Sequence, residues 1–143
     1  MPMGIITRIL KRGKPSSAPD SRQRFGLEGE VEAARHLKRN GLKILVKRYR
    51  CRFGEVDLVA REGDTLVFIE VKTRGSSDFG GPALAVTAEK QKHISRVALD
   101  YLRHLHNPEI PVRFDIVEVI SSGEKALCNH IRDAFTLSEP YIY

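Results

Sequence analysis

The stretch GEVDLVAREGDTLVFIEVKTR, residues 54 to 74, constrains the fold more than any other part of the chain. Two runs rich in apolar and β-branched residues, Glu55 to Ala60 and Thr65 to Thr73, flank the turn-forming letters REGD and predict a β-hairpin. Alternate residues of a strand share a face, so Glu70 and Lys72 point to the same side of the second run. Two opposite charges therefore lie together on one face of an otherwise apolar strand.

The length of the hairpin loop decides on which face Asp57 lies. A two-residue loop, either Glu62-Gly63 or Gly63-Asp64, places Asp57 on the Glu70 face, directly opposite Glu70 or diagonal to it, at about 5–8 Å. A three-residue loop would place Asp57 on the opposite face. Two-residue loops containing Gly are the commoner solution, and this register is the one we expect.

Asp57 and Glu70 at that distance predict a metal site. Two neighbouring carboxylates repel and raise each other's pKa, and a hard divalent cation such as Mg²⁺ relieves that repulsion while keeping water ligands. Lys72 beside them could orient an attacking water and offset charge on a phosphoryl group. The alternative interpretation is a salt-bridge cluster of the same three residues on an exposed sheet face.

A helix is predicted before the hairpin, from about Ser21 to Asn40, with Gly41 at its C-cap. At about 100° per residue, Glu30 falls inside the apolar stripe of this helix. That stripe consists of Leu27, Val31, Ala34 and Leu37. Because an inward carboxylate needs a partner, Glu30 is a third candidate ligand.

The rest of the chain predicts further strands and one more helix. A strand from Lys43 to Arg52 precedes the hairpin, and the loop GSSDFGGPALAV, interpreted as a mobile flap, follows it. A second helix begins after Thr87, ends near His106, and carries Lys90 and Gln91 in its first turn.

A strand from Val112 to Ile120 and a short strand or turn near Ala126 to Phe135 complete the order α, β, β, β, α, β plus a short ending. This order predicts an α/β fold, a mixed sheet flanked by helices. We expect a flexible basic arm over residues 1–20 and a single domain over residues 21–143.

The charge of the chain favours nucleic acid, first of all DNA, as its partner. The 143 residues contain 24 Lys+Arg against 18 Asp+Glu, a net charge of +6. Part of this charge forms an edge at Lys47, Arg48, Arg50 and Arg52, interleaved with Tyr49 and Phe53. That edge is interpreted either as a surface that tracks phosphates or as simple alternation on an edge strand.

Several other classes of protein are disfavoured. The two cysteines, Cys51 and Cys128, lack CxxC spacing and are expected to be reduced thiols rather than zinc ligands or a disulfide. No apolar run approaches the roughly 20 residues of a membrane span, so a cytoplasmic protein is expected. The five histidines, mostly on helices, are interpreted as exposed.

Asp57 followed by Glu70-Val71-Lys72 resembles the PD-(D/E)xK signature of restriction-endonuclease-like nucleases. The wider run, together with RFD at Arg113 to Asp115, resembles the YraN-like family of uncharacterised bacterial proteins over roughly residues 25 to 136. The resemblance implies a restriction-endonuclease-like core, similar to that of Holliday-junction resolvases.

The resemblance also implies roles for individual residues. Asp57, Glu70, the Val71 carbonyl and Glu30 would hold Mg²⁺ or Mn²⁺, and Lys72 would be the catalytic lysine, with Gln91 or Lys90 supporting the site. Arg48 stands where the family pattern often has Asn. Contacts to nucleic acid are expected from Lys47, Arg48, Arg50, Arg52, Arg74 and Lys90.

Two classes of function follow from these interpretations. The first is a metal-dependent endonuclease or structure-selective resolvase that acts on DNA phosphodiesters. The second is a non-catalytic nucleic-acid-binding protein, or an interaction module in DNA processing, on the same fold. A homodimer is compatible with either.

Overall fold

Five strands form one mixed sheet in the order β1-β2-β3-β4-β5 in the computed structural model, which describes residues 21–75, 86–106, 109–122 and 124–137. Along the chain the elements are α1 (Ser21–Arg39), β1 (Lys43–Cys51), β2 (Gly54–Glu62), β3 (Thr65–Gly75), α2 (Ala88–Leu105), β4 (Val112–Ser122) and β5 (Lys125–Phe135). The predicted order is confirmed, and the final element is a full strand of 11 residues rather than a short ending. The predicted basic arm and the centre of the glycine-rich loop lie outside the described residues.

The direction of the strands follows from their connections. β1, β2 and β3 are antiparallel neighbours joined in sequence, and β4 and β5 form a second antiparallel pair. β3 and β4 are parallel, and the crossover between them contains α2. A parallel pair needs such a long connection, whereas the antiparallel pairs need only short loops.

The two helices cover opposite faces of the sheet. α2 packs through Val97 and Tyr101 on a face that presents Phe68 and Phe114. α1 packs on the other face through a cluster that includes Ala33, Leu37, Leu58, Ile69 and Val117. The central strands are thus buried on both sides, which explains why β3 reads as a nearly continuous apolar run interrupted by Glu70.

The apolar stripe predicted for α1 is partly wrong. Val31 is 44% exposed, whereas Ala33, Ala34 and Leu37 are buried. The buried face is centred on small residues, since a Cβ added at Gly29 would lie 2.1 Å from Thr73 Oγ1. Small residues contribute little to hydropathy patterns, so the pattern could not show where the helix approaches the sheet most closely.

The predicted ends of both helices are confirmed. Gly41, with φ of +92°, follows α1, and the Leu42 N–H donates to the Leu37 carbonyl at 3.0 Å. Thr87 caps α2 by accepting a hydrogen bond from the Lys90 N–H at 3.1 Å.

Cys51 and Cys128 are free thiols. Within the described ranges, no helix has the length and apolar character that would let it cross a membrane.

Candidate functional site

Asp57 lies where strands β2 and β3 stop pairing. The hairpin turns through Gly63-Asp64, because Glu62 pairs with Thr65, and this confirms a two-residue loop. Counting away from the turn, the last pair of the ladder is Leu58–Ile69, and Asp57 is the next residue of β2 beyond it. Beyond that point the Asp57 Oδ2 atom accepts a hydrogen bond from the Val71 N–H at 2.8 Å. The Asp57 carboxylate is thereby fixed beside the Glu70-Val71 segment of β3.

Glu70 joins this site from the face of the sheet that α2 covers. Glu70 is only 8% exposed. Its Oε1 atom lies 3.5 Å from the Nζ atom of Lys90, in the first turn of α2. The interaction with Asp57 is repulsive and raises the pKa of Glu70 in addition to the effect of burial.

Glu30 reaches the same site from α1, on the other face of the sheet. Its Oε2 atom accepts a hydrogen bond from Arg48 Nε at 3.0 Å. Burial raises the pKa of Glu30, and the interaction with the neighbouring Asp57 raises it further. Glu30 therefore lies inward, near Asp57, as the position of this residue within the helical stripe predicts.

All three carboxyl groups have a raised pKa, and burial is the largest cause for each. For Asp57, the Val71 N–H and the charge of Lys90 only partly offset burial. Arg48 does the same for Glu30, and Lys90 and Lys72 for Glu70. At each of the three carboxyls the effect of burial thus outweighs the nearby donors and cations, and such perturbed pKa values are typical of functional sites.

Arg48 has an unusual backbone conformation for its type. Its φ is +54°, in the left-handed region that Asn and Gly adopt more readily than Arg. The pairs Lys47–Leu58 and Tyr49–Val56 flank it, so Arg48 lies across from Asp57. The conformation explains why Asn would suit this position.

The other predicted site residues lie at different distances from the carboxyls. Lys72 is half-buried on β3 and close enough to Glu70 to lower its pKa. The Gln91 side chain donates to the Val86 carbonyl at 2.9 Å, at the start of α2. Arg74 lies 3.5 Å from the buried carboxylate of Glu118, and its side chain is only 14% exposed.

The basic edge on β1 is divided between surface and core. Lys47, Arg50 and Arg52 are exposed, and Arg52 stacks over the Phe53 ring at 4.7 Å. Tyr49 is fully buried and donates its hydroxyl hydrogen to Asp100 at 2.5 Å. Tyr49 therefore belongs to the core, whereas the charged residues beside it face solvent.

A second acidic centre was missed by the sequence reasoning. The fully buried Asp115 on β4 accepts hydrogen bonds from Arg113 at 2.8 and 3.0 Å, and from the Asp133 N–H at 2.9 Å. His130 Nε2 lies 2.7 Å from the Oδ2 atom of Asp115. The histidine prediction is wrong for His130, which is on β5 with a buried side chain. The sequence pattern that could have indicated this centre is the presence of charged residues, Arg113 and Asp115, inside the otherwise apolar run VRFDIVEVI. Glu70 and Lys72 form the same kind of pattern in β3.

Within the described residues, no group of three or more His, Cys, Asp or Glu side chains has the arrangement of a ready metal site. The candidate ligands are a pair of interacting carboxyls, Asp57 and Glu70, with Glu30 close enough to Asp57 for the two to interact. All three groups are hard oxygen donors, the type that Mg²⁺ and Mn²⁺ prefer.

A five-stranded mixed sheet flanked by two helices is consistent with a restriction-endonuclease-like fold. The chain belongs to UPF0102, because residues 29–119 match the family model described as "Uncharacterised protein family UPF0102". This confirms the family resemblance that the hairpin and the RFD motif carry.

Curated relatives support the same assignment. The chain is 45% identical over 114 residues to a UPF0102 protein of Geobacter metallireducens, covering 80% of this chain and 93% of the relative. It is 46% identical over 115 residues to one of Syntrophus aciditrophicus, covering 80% and 91%. It is 47% identical over 112 residues to one of Rhodococcus opacus, covering 78% and 95%.

Proposed function

We propose that this protein is a metal-dependent nuclease of the restriction-endonuclease-like superfamily, an endonuclease or structure-selective resolvase that hydrolyses phosphodiesters in DNA. One observation carries the proposal: carboxyls from α1, β2 and β3, namely Glu30, Asp57 and Glu70, meet where β2 and β3 stop pairing, and all have a raised pKa. Lysines lie beside them.

Asp57 and Glu70 would hold the cation, Mg²⁺ or Mn²⁺, with the Val71 carbonyl as a third ligand and water completing the shell. The fit rests on the raised pKa of these carboxyls, since a divalent cation would stabilise the charged form that burial disfavours. When bound, such a cation polarises the phosphate and lowers the pKa of its water.

Glu30 would assist the cation site. Its carboxyl accepts a hydrogen bond from Arg48 Nε at 3.0 Å and interacts electrostatically with Asp57. The Arg48 guanidinium would stabilise Glu30 in its ionised form. An ionised Glu30 could accept a proton from water beside the site.

Lys72 would orient the attacking water and offset charge on the phosphoryl oxygens. Lys90 pairs with Glu70 at 3.5 Å and is 44% exposed on its side chain. An ammonium on a flexible stem can leave Glu70 and bind a phosphate when a cation takes over the carboxylate. Gln91 would act indirectly, by fixing the start of α2 through Val86.

The exposed basic residues Lys47, Arg50 and Arg52 lie on the strand that neighbours Asp57. They would contact the DNA backbone, so affinity should fall as salt rises. Arg74, which is paired with Glu118, is better suited to supporting β4 than to binding phosphate.

A second candidate function is non-catalytic binding of nucleic acid. The observation that favours it is that protein cations already occupy two of the carboxylates, Arg48 on Glu30 and Lys90 on Glu70. Carboxylates paired with protein cations in this way could stabilise the fold without holding a metal ion, and the protein would then have no catalytic site.

Cleavage of branched and single-stranded DNA with Mn²⁺ tests the proposal. Asp57→Asn and Lys72→Ala should each reduce cleavage by at least about a hundredfold, since both change groups that act on the reacting phosphate. Asp64→Asn, an exposed change in the hairpin turn, is the matched control and should cleave like the wild type.

Three outcomes separate the candidates. Cleavage lost in both variants and kept in the control supports the nuclease. Cleavage that survives in both variants contradicts it. DNA binding that persists in a wild type without cleavage favours the non-catalytic function.

A further inference from the structure

Strand β5 forms one edge of the sheet. It pairs with β4 along one side, and in the part of the chain that the structure describes no strand pairs with its other side. An edge strand of 11 residues presents a row of backbone N–H and C=O groups that can pair with another strand. Leu127 on this strand is 55% exposed, more than any other large hydrophobic side chain in the described ranges.

The middle of this edge lacks the features that normally prevent pairing. Its register against β4 is regular from Lys125 to Ile131. The irregularity lies beyond, opposite the Phe114–Ile116 segment, near Asp133 with its φ of +54°. Charged residues and a bulge are the usual means of protecting an edge, and here they stand at the ends of the regular stretch.

We propose that β5 pairs antiparallel with β5 of a second copy of the chain, across a two-fold axis at Asn129. In this register Leu127 lies opposite Ile131 of the second copy, and both residues belong to the regular stretch. An apolar pair of this kind stabilises a cross-strand contact. The two-fold axis repeats the pair, so the segment is complementary to itself.

Neighbouring registers lack this complementarity. An axis at Cys128 places Leu127 opposite Asn129 and Lys125 opposite Ile131. An axis at His130 places Leu127 opposite Asp133. Each of these pairs an apolar side chain with a polar or charged one, which favours the Asn129 axis.

The exposure of the paired residues agrees with this surface. Lys125, Leu127 and Asp133 are exposed, and Asn129 and Ile131 are partly exposed, so all remain available to a second strand. Two copies joined in this way form one continuous sheet. Because the axis is perpendicular to that sheet, the α2 layers of both copies lie on the same side.

Disulfide trapping tests the register. In a Cys51→Ser, Cys128→Ser background, Asn129→Cys should form a linked dimer on mild oxidation, because the two Cα atoms would be about 4.5–5.5 Å apart. Leu127→Cys in the same background is the matched control. Its two copies would be offset by four residues, about 14 Å along the strands, and should not link. Linkage at residue 127, or failure at residue 129, would overturn the register.

The mass of the native chain tests the association itself. Sedimentation should show a dimer for the wild type, and Leu127→Lys should weaken it by about tenfold or more, because the axis places the lysine twice in the interface. Val31→Lys, an equally polar change at an exposed position on α1, should leave the dimer intact. A monomeric wild type, or a dimer unaffected by Leu127→Lys, contradicts the proposal.

Circular dichroism of both lysine variants separates loss of pairing from loss of folding. Leu127 and Val31 are both exposed, so each variant should keep the wild-type spectrum. Because neither position touches the carboxyl site, this test is independent of the nuclease proposal.

Discussion

Two groups of buried carboxylates lie on the same sheet, and their pKa values move in opposite directions. Burial raises the pKa of Asp57 and Glu70, and the nearby donors and lysines do not reverse it. Burial acts on Asp115 in the same way, but hydrogen bonds from His130, Arg113 and the Asp133 N–H outweigh it and lower the pKa. The difference lies in the hydrogen-bonding partners, which are more numerous at Asp115.

The partners of each carboxylate show how Asp115 differs from Asp57 and Glu70. Asp115 joins β4 to β5 and, through Arg113 and Glu62, to the hairpin of β2 and β3. Hydrogen bonds from residues of β4 and β5 outweigh the effect of burial on the Asp115 carboxylate. At Asp57 and Glu70 the nearby donors and cations do not offset burial, so the pKa of each carboxyl stays raised.

The largest effect is expected at Asp115. Asp115→Ala leaves Arg113 and His130 without the carboxylate that pairs them, and removing one member of a buried pair costs about 3–5 kcal/mol. The free energy of unfolding in urea should fall by that amount. Asp64→Ala removes an exposed aspartate and should change it by less than about 0.5 kcal/mol. Similar effects of the two changes would refute a structural role for Asp115.

The next effect is expected at the contact between α1 and β3. A Cβ at Gly29 would lie 2.1 Å from Thr73 Oγ1, so Gly29→Ala forces either the Thr73 side chain or the helix to shift and should cost about 1–3 kcal/mol. We expect the helix to shift and to carry Glu30 away from Asp57. Mn²⁺ affinity should therefore fall although no carboxylate has been changed.

Gly26→Ala is the matched control for this prediction. A Cβ at Gly26 meets nothing within 4 Å, and alanine is the better helix former, so stability should rise by about 0.5–1 kcal/mol. Thr73→Ala combined with Gly29→Ala should recover part of the loss, because it removes Oγ1 and Cγ2. Equal effects at the two glycines would show that the close approach has no role.

The pH dependence of stability distinguishes the two acidic groups directly. The pKa of Glu70 is raised in the folded protein, so the folded state keeps a proton that the unfolded state has lost once the pH exceeds the ordinary value of 4.5. Stability therefore falls as pH rises from 4.5 through the folded pKa. Glu70→Gln should reduce this fall, because only the contributions of Glu30 and Asp57 remain, and should be more stable at pH 8 by about 1 kcal/mol.

Asp115 gives the opposite sign. Its pKa is lowered from 3.8, so its contribution is complete above that value and is lost as pH falls through the folded pKa. Urea unfolding between pH 3 and pH 8 should show both slopes in the wild type. A Glu70→Gln profile that runs parallel to the wild type above pH 5 would contradict the raised pKa.

The smallest effect is expected at Arg48. Its left-handed backbone costs about 1–2 kcal/mol for a residue with a Cβ, and glycine avoids this cost. Arg48→Gly and Arg48→Ala both lose the ion pair with Glu30, so the glycine variant should be the more stable by about 1 kcal/mol. Thermal unfolding of the two variants measures the difference. An alanine variant of equal stability would show that the conformation is not strained.

Much of the fold could be predicted because local patterns specify it. Runs rich in apolar and β-branched residues identify β2 and β3, a Gly-Asp turn sets their register, and Gly41 and Thr87 mark helix ends. Asp57 and Glu70 could be placed together for the same reason, since a hairpin register is a short-range property. Glu30 needed only the helical period to be directed inward.

The remaining features depend on contacts between distant parts of the chain. The position of Val31 at the surface follows from the close approach of Gly29 to Thr73, and the partners of Asp115 come from β5. Arg74 pairs with Glu118 because β3 and β4 are parallel neighbours. A single sequence contains no signal for which strand a given strand will meet.

The sequence by itself determined the helices and strands, the family and the three candidate carboxyls. Helices, hairpins and motifs depend on residues that are close along the chain. Only the tertiary structure decided which carboxylates are fully paired. Burial and hydrogen-bond donors from other elements set the free energy of a buried charge. That energy is the reason the pKa of Asp115 is lowered while the pKa values of Asp57 and Glu70 are raised.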